Sequence, residues 1–517
     1  MGSAAAPSAV PIAHHTVGSA RHLAIPVGAF RSGPWVTIGL LAFAAIWLSH
    51  LAYASLAPPT DNIEQLTWVR SVEWGYYKHP PLPTWLAWLP VKLFGLSAWT
   101  GYVLGAACTL AALGLMWRLL AKLRGEAYAG VALLAALCIT YYNGRLYYYN
   151  HNVVLLLLST ASATLCWQAF HTRQLRWWLG LGFAIGLGAL AKYQIAVTIA
   201  SVLVFAAHQR AWRDPVHRLG ALLACLIALV MFAPHVAWQQ THDFGPIRYA
   251  VESSLGARFS RVDRIVESSR WLLDQVFNRA LPAWVLLAVA ARSSAALAST
   301  APLQRPATVA AQADPAKVLL LSWGLVPLVF MPLVGVLVGA DLQLQWGTAF
   351  LLFAVPAVME LRPRANWDRV TWQRTLGAFV IIQALLLALS HATSPRGPTS
   401  LRDHHWRAFD AAGLAERVAG PARLELGGPI RVISGSAALA GALALQLSEK
   451  PFVLIDGRHD RSPWVEPDLV RRCGAVQLGA MEAISSGHTL GAAFPGLAWR
   501  VVLRDPGAAP CPPLSAD

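Results

Sequence analysis

The chain has 517 residues, of which 56% are hydrophobic and only 13% charged, with a mean hydropathy of +0.48. Soluble domains carry roughly 25% charged residues, so this composition excludes an ordinary soluble enzyme and points to a polytopic membrane protein. The net charge of +15 does not indicate nucleic-acid binding, because the basic residues lie between apolar stretches, where they set membrane topology.

Residues 1–33 are rich in Ala, His and Pro and lack a charged-then-apolar secretion signal, so a loose cytoplasmic tail is expected. About eleven apolar segments follow, each near the ~20 residues that a bilayer core requires. They lie near 34–57, 95–120, 127–142, 152–170, 178–191, 193–208, 219–237, 277–297, 317–339, 344–361 and 373–391. The pair around Lys192 reads equally as two half-length helices or as one broken helix. Basic residues recur in alternate connections: Arg21 and Arg31, Lys122 and Arg124, Arg173 and Arg176, Arg210, Arg213 and Arg218, Arg292, Arg305 and Lys317, then Arg362, Arg364, Arg369 and Arg374. All fall on one side, and the positive-inside rule makes that side cytoplasmic. The membrane domain is thus expected over 34–391, with outer loops at 58–94, 141–151 and 238–276. The 22 tryptophans fit interfacial belts, and the Ala-rich stretch 293–314 reads as a cytoplasmic linker.

Residues 392–517 differ in kind. Strand patterns at 430–434, 452–455 and 500–503, with a helical pattern at 437–449, predict a small α/β domain on the outer, periplasmic face. Cys108, Cys138, Cys166 and Cys225 fall within apolar segments and read as small apolar residues. Cys473 and Cys511 both fall in the exported part, where a disulfide and two free thiols stay equally open.

Chemistry is expected just after the first span, where the chain presents Asp61, Glu64, then Tyr77-Lys78-His79-Pro80-Pro81-Leu82. Ionisable groups at a membrane boundary are costly to keep dry and are functional candidates by default. Two acids three residues apart on a helix share a face, and Pro-Pro fixes the direction of the side chains before it. The bland alternatives are an N-cap for Asp61, an exposed acid for Glu64, a turn residue for His79 and a snorkelling lysine for Lys192.

This loop resembles the first periplasmic loop of the GT-C glycosyltransferases, in the bacterial branch related to protein mannosyltransferases, aminoarabinose lipid A transferases and rhizobial galacturonosyltransferases. Three further stretches agree in order: Tyr149-Asn150-His151-Asn152-Val153, Gly186 to Tyr193 with its Ala191-Lys192-Tyr193 end, and Pro234-His235-Val236-Ala237-Trp238 with His242-Asp243-Phe244. The likeness covers roughly residues 35 to 390. It implies an inner-membrane, multi-pass enzyme moving a sugar from a polyprenyl-monophosphate donor to a lipid, polysaccharide or protein acceptor on the periplasmic face, with inversion. By the same resemblance Asp61 is the base with Glu64 beside it. Lys192, Lys78, His79, and Arg258 or Arg261 from the long outer loop, are candidates to bind the departing phosphate, and Asn150, Asn152, Tyr193, His235 and His242 are substrate-binding candidates. Two departures stand out. Asn150-His151-Asn152 occupies a loop where many relatives carry a second acid, and amides are poor ligands for hard metals. A lysine, Lys78, replaces an acid often found before His-Pro-Pro. No metal ligand is therefore assigned, and a divalent cation stays open as cofactor. The competing reading is a transporter or flippase of lipid-linked sugars, which predicts ionisable groups at the bilayer midplane and related halves.

Overall fold

The computed structural model describes residues 32–255, 259–298, 314–362, 367, 371–402, 405–484 and 486–513. The expected tail up to residue 31, linker residues 299–313, the basic residues Arg305, Arg364 and Arg369, and the candidate Arg258 lie outside the described residues.

Six helices are long and apolar enough to cross a membrane: α1 (Ser32–Tyr53, from Gly33 on), α4 (Ala98–Arg124), α6 (His151–Thr172), α9 (Pro215–Thr241), α13 (Pro315–Val338) and α15 (Trp372–Ala392). Between the first two lie α2 (Thr60–Trp68) and α3 (Leu82–Phe94). The remaining segments depart from eleven uniform spans. α5 (Glu126–Leu137), α7 (Leu175–Ala191) and α8 (Ile195–His208) are apolar but shorter. α10 (Gly245–Ala250) precedes α11 (Arg261–Leu273), which continues to Arg279 and meets α12 (Leu281–Ala298) at a bend of 51°. The segment expected as a span over 344–361 is instead two 3-10 turns, Leu344–Ala349 and Leu351–Phe353, followed by the seven-residue α14 (Ala354–Glu360). Irregular backbone at membrane depth is tolerated where it is buried in protein or lines a cavity; here Leu351–Phe353 are buried, and Gln345 and Trp346 line a cavity.

The sides of the helix ends agree with the charge pattern. Arg124 at the end of α4 donates from Nε and Nη2 to Glu360 at 2.7 and 3.0 Å, and pairs with Asp314 before α13 at 2.7 Å. Arg173 after α6 pairs with Asp214 before α9 at 2.7 Å. The connections expected to share a side therefore meet physically.

The C-terminal part holds a five-stranded sheet of β1 (Val432–Gly435), β2 (Phe452–Ile455), β3 (Ala475–Ala480), β4 (His488–Thr489) and β5 (Leu497–Val502), in the order β2-β1-β3-β5-β4. β1 is parallel to β2 and β3, while β5 is antiparallel to β3 and β4. It is accompanied by α16 (Ala411–Leu426), α17 (Ala437–Gln446) and the short α18 (Leu469–Cys473). Cys473 and Cys511 are joined by a disulfide, with Cα atoms 4.8 Å apart.

This layer is fused to the membrane part through α2. Trp68 at the end of α2 and Tyr76 after it stack at 5.1 Å and belong to the sheet's own apolar core. A Cβ added at Gly441 of α17 would overlap the Ile63 side chain, so glycine there permits α17 and α2 to touch.

Candidate active site

α2 carries Asp61 and Glu64. Its N-cap is Pro59 and no side chain caps it, so Asp61 is not spent on the helix end. Asn62, wholly buried between the acids, donates from Nδ2 to the Tyr147 carbonyl at 2.9 Å and accepts from the Tyr149 amide at 2.8 Å. That clamp binds α2 to the loop before α6. The loop in turn lies tight against α4, where a Cβ at Gly105 would overlap the Tyr148 carbonyl oxygen.

Asn150 then fixes the leading acid. Its Oδ1 accepts from the Asn152 and Val153 amides at 3.0 and 3.1 Å, capping α6. With the oxygen thus committed, the amide must turn its NH2 outward, and Nδ2 donates to Asp61 Oδ2 at 2.8 Å. The helix end therefore sets the amide orientation, and the amide orients the carboxylate.

Glu64 is ion-paired with Lys78. Burial works against the Lys78 charge, but Glu64 and then Tyr77 outweigh it and hold the ammonium above its ordinary range. Tyr249 from α10 places its ring 5.3 Å from Lys78 Nζ. Glu64 is thus engaged, and Asp61 is the acid free of an ion pair among the described residues.

His79 turns back through reciprocal backbone hydrogen bonds with Tyr76, at 3.0 and 3.2 Å. Its ring lies 4.1 Å from that of His151 at the start of α6. Burial, followed by His151, Lys192 and Lys78, depresses His79 well below the usual histidine range and keeps it neutral. The buried His151 Nε2 has no hydrogen-bond partner among the described residues. No cluster of three or more His, Cys, Asp and Glu side chains suited to a metal occurs among the described residues.

Lys192 closes the opposite wall. α7 ends at Ala191, and Lys192 takes an extended backbone before α8 begins, so the pair around it is two short helices. Its Nζ donates to Asn152 Oδ1 at 2.7 Å and lies 5.3 Å from the Trp346 ring. No carboxylate pairs with it among the described residues. Burial pushes the Lys192 amine down to about 7, with Asp61 acting the other way, so an anion in the cavity would hold its proton in place.

Asp61, Glu64, Lys78, His79, Asn150, His151, Asn152, Lys192 and Tyr193 all line one cavity of about 860 Å³. Its other wall is apolar, with Phe330, Met331 and Val334 from α13. Three sequence candidates do not reach it. His235 is buried and structural: the Trp74 carbonyl 2.6 Å from Nδ1 can only accept, so Nε2 accepts from the Tyr193 hydroxyl at 2.8 Å. His242 is exposed and stacks on Trp238 at 4.1 Å. Arg261 is exposed at the first turn of α11, beyond the cavity lining. On that helix Trp271 is buried, whereas Val262, Ile265 and Val266 face outward with Arg261 and Arg270, and Arg264 lies against Gly339. Residues that the sequence did not single out include His151, Tyr249, Gln345 and Trp346. The last two sit in a stretch whose apolar composition imitates a span.

A family model described as dolichyl-phosphate-mannose-protein mannosyltransferase matches residues 78–238. The chain is 26% identical over 211 residues to a lipopolysaccharide core galacturonosyltransferase, RgtA, of Rhizobium johnstonii, covering 40% of this chain and 42% of that one. It is 22% identical over 241 residues to a lipid A galacturonosyltransferase, RgtD, of the same organism, covering 45% and 49%. The chain thus spans under half the length of the curated relatives it matches. A crystal structure of ArnT from Cupriavidus metallidurans bound to undecaprenyl phosphate superposes with a TM-score of 0.59 at 16% identity, covering 91% of this chain and 98% of that one. Its apo form gives 0.51. The fold is that of ArnT, and the family model, the relatives and the fold agree with the GT-C glycosyltransferase resemblance of the loops.

Proposed function

We propose that the protein is a membrane glycosyltransferase that takes a sugar from a polyprenyl-monophosphate donor and passes it to a cell-envelope lipid or glycan, on the periplasmic side of the inner membrane. One observation carries the reading. Asp61, aimed by Asn150, faces the same cavity as Lys192, a buried amine with no carboxylate partner among the described residues. The donor's phosphate sits at Lys192, with Lys78 nearby, and its lipid runs along the apolar wall from α13. Asp61 accepts the proton of the acceptor hydroxyl as that oxygen bonds to the anomeric carbon. The bond from that carbon to the phosphate oxygen breaks, and its electron pair leaves with the polyprenyl monophosphate, whose growing charge the lysine stabilises. Attack from the side opposite the phosphate inverts the anomeric centre.

The relatives' names, which specify lipopolysaccharide core and lipid A as what they modify, support an envelope lipid as acceptor. The ArnT structure with undecaprenyl phosphate supports the donor's carrier. The disulfide suits an oxidising compartment.

The test is mass spectrometry of envelope glycolipids from cells expressing wild type, Asp61→Asn or Lys192→Ala at matched membrane levels. A sugar-sized increment made by wild type and lost in Asp61→Asn is the expected result. Persistence of that increment in Asp61→Asn removes Asp61 from the chemistry. Accumulation of lipid-linked sugar on one leaflet, with no glycan changed, would replace transfer by transport.

A further inference from the structure

Asp61 and Asn150 also border a second, smaller cavity of about 180 Å³, lined further by Arg145, Tyr148, Gln345 and His405. It holds roughly six water volumes, the scale of a single sugar-sized group rather than of a lipid. Asp61 is the only carboxylate in its lining among the described residues. Arg145 is half-buried there, its guanidinium 5.4 and 5.8 Å from the rings of Tyr148 and Tyr141. Among the described residues it makes no side-chain hydrogen bond and no ion pair. The two rings flank it and leave its N–H fork unspent. A half-buried guanidinium in that condition is set to receive a planar or tetrahedral oxyanion in a bidentate manner.

We propose that Arg145 forms an anion subsite across Asp61 from the donor phosphate, binding a carboxylate or phosphate carried by the transferred sugar or by the acceptor headgroup. The proposal rests on the transferase reading above, in which Asp61 stands where sugar and acceptor meet. Two anionic partners are thereby held apart: the leaving phosphate at Lys192 in the large cavity, and the substituent at Arg145 in the small one. Arg145 acts by binding the substrate and takes no part in proton transfer.

The experiment uses the full-length protein in vesicles, as wild type, Arg145→Met and Arg145→Lys, and follows release of polyprenyl phosphate. One arm compares a polyprenyl-phosphate hexuronic acid with its neutral hexose counterpart on a single acceptor. The other compares a phosphorylated with a dephosphorylated lipid A acceptor, using one donor. Wild type is expected to prefer the anionic member of one arm by about 10- to 150-fold in kcat/KM, the range given by a charge-assisted hydrogen-bonded pair. Arg145→Met is expected to remove that preference, and Arg145→Lys to retain part of it. Loss of preference in the first arm assigns the anion to the sugar, and in the second to the acceptor. An unchanged preference in both arms overturns the subsite. Should Arg145→Met fail to accumulate, inhibition of wild type by free hexuronate against free hexose, and by inorganic phosphate, decides instead; equal weakness of all three rejects the proposal. If wild type consumes no donor in either arm, the transferase reading itself fails, which is a distinct outcome.

Discussion

Replacing Asn150 by Asp keeps the helix cap while changing the contact with Asp61. Asp caps a helix about as well as Asn, and a negative charge at the start of α6 adds about 0.3–1 kcal/mol of favourable dipole interaction, so the cap itself is kept. The contact with Asp61, now a 2.8 Å donor–acceptor pair, becomes two acceptors. Two carboxylates about 4 Å apart at the effective dielectric of a partly exposed site repel by about 4 kcal/mol. The pair then retains one shared proton for about three pH units beyond the ordinary carboxylate range, into neutral pH. Asn150→Asp is therefore expected to lose about 10- to 100-fold in kcat/KM at pH 6.5, from the shared proton and the lost aim, and to recover part of it by pH 8.5. Its unfolding midpoint should match wild type near pH 4 and fall below it as pH rises, because a carboxyl raised in the folded state destabilises above its unfolded value. The assay is polyprenyl-phosphate release against pH, beside thermal unfolding in detergent. Wild-type turnover at pH 6.5 with an unshifted profile would refute the idea that this amide prepares Asp61. Asn150→Ala, which removes cap and donor together, should lose activity and also about 0.5–2 kcal/mol of stability.

Two further outcomes follow from packing and charge. Gly105→Ala sets a methyl group against the Tyr148 carbonyl, pushing the loop that aims Asn150; turnover should fall at least tenfold, with a loss of about 1–3 kcal/mol in stability, and an unaltered enzyme would show that the loop has room to spare. In the C-terminal sheet, burial acts to raise the Glu449 carboxyl. The hydrogen bonds from Arg423, at 2.9 Å each, from its own amide and from Ser448 outweigh this and hold the carboxyl at about 2. A carboxyl depressed in the folded state stabilises above the unfolded value near 4.5 and loses that contribution as pH falls toward 2. Because the Arg423 side chain is 39% exposed, solvent screening limits the effect to about 1–2 kcal/mol. Glu449→Gln should flatten this acid limb when limited proteolysis of the C-terminal part is followed from pH 5 to 2.5, and an equally steep limb in the variant rules the pair out.

Composition and loop charge revealed the membrane class and the grouping of helix ends, because hydropathy and charge act locally along the chain. Asp61, Lys78, His79 and Lys192 were legible because a charged residue at a membrane boundary has few bland explanations. The 344–361 segment was misread because its composition is that of a span, while its conformation is decided by the cavity it lines. β3, Ala-Val-Gln-Leu-Gly-Ala, escaped notice because it has few β-branched residues and takes its strand form from six paired positions on β5. Arg145 gave no signal, since its meaning lies in having no partner, which a sequence does not record. His235 and His242 sat in a matching motif, yet their rings serve a carbonyl, a tyrosine and a tryptophan.

The contact of α17 with α2 has a consequence for biosynthesis. The helix bearing Asp61 emerges among the first elements of the chain, whereas Gly441, which presses against Ile63, and Ala438, which borders the large cavity, are made nearly last. A nascent chain already threaded through the bilayer thus holds an unfinished pocket, open where α17 will sit. The large cavity is therefore complete only once α17 has been made, and shorter nascent chains carry Asp61 without that wall.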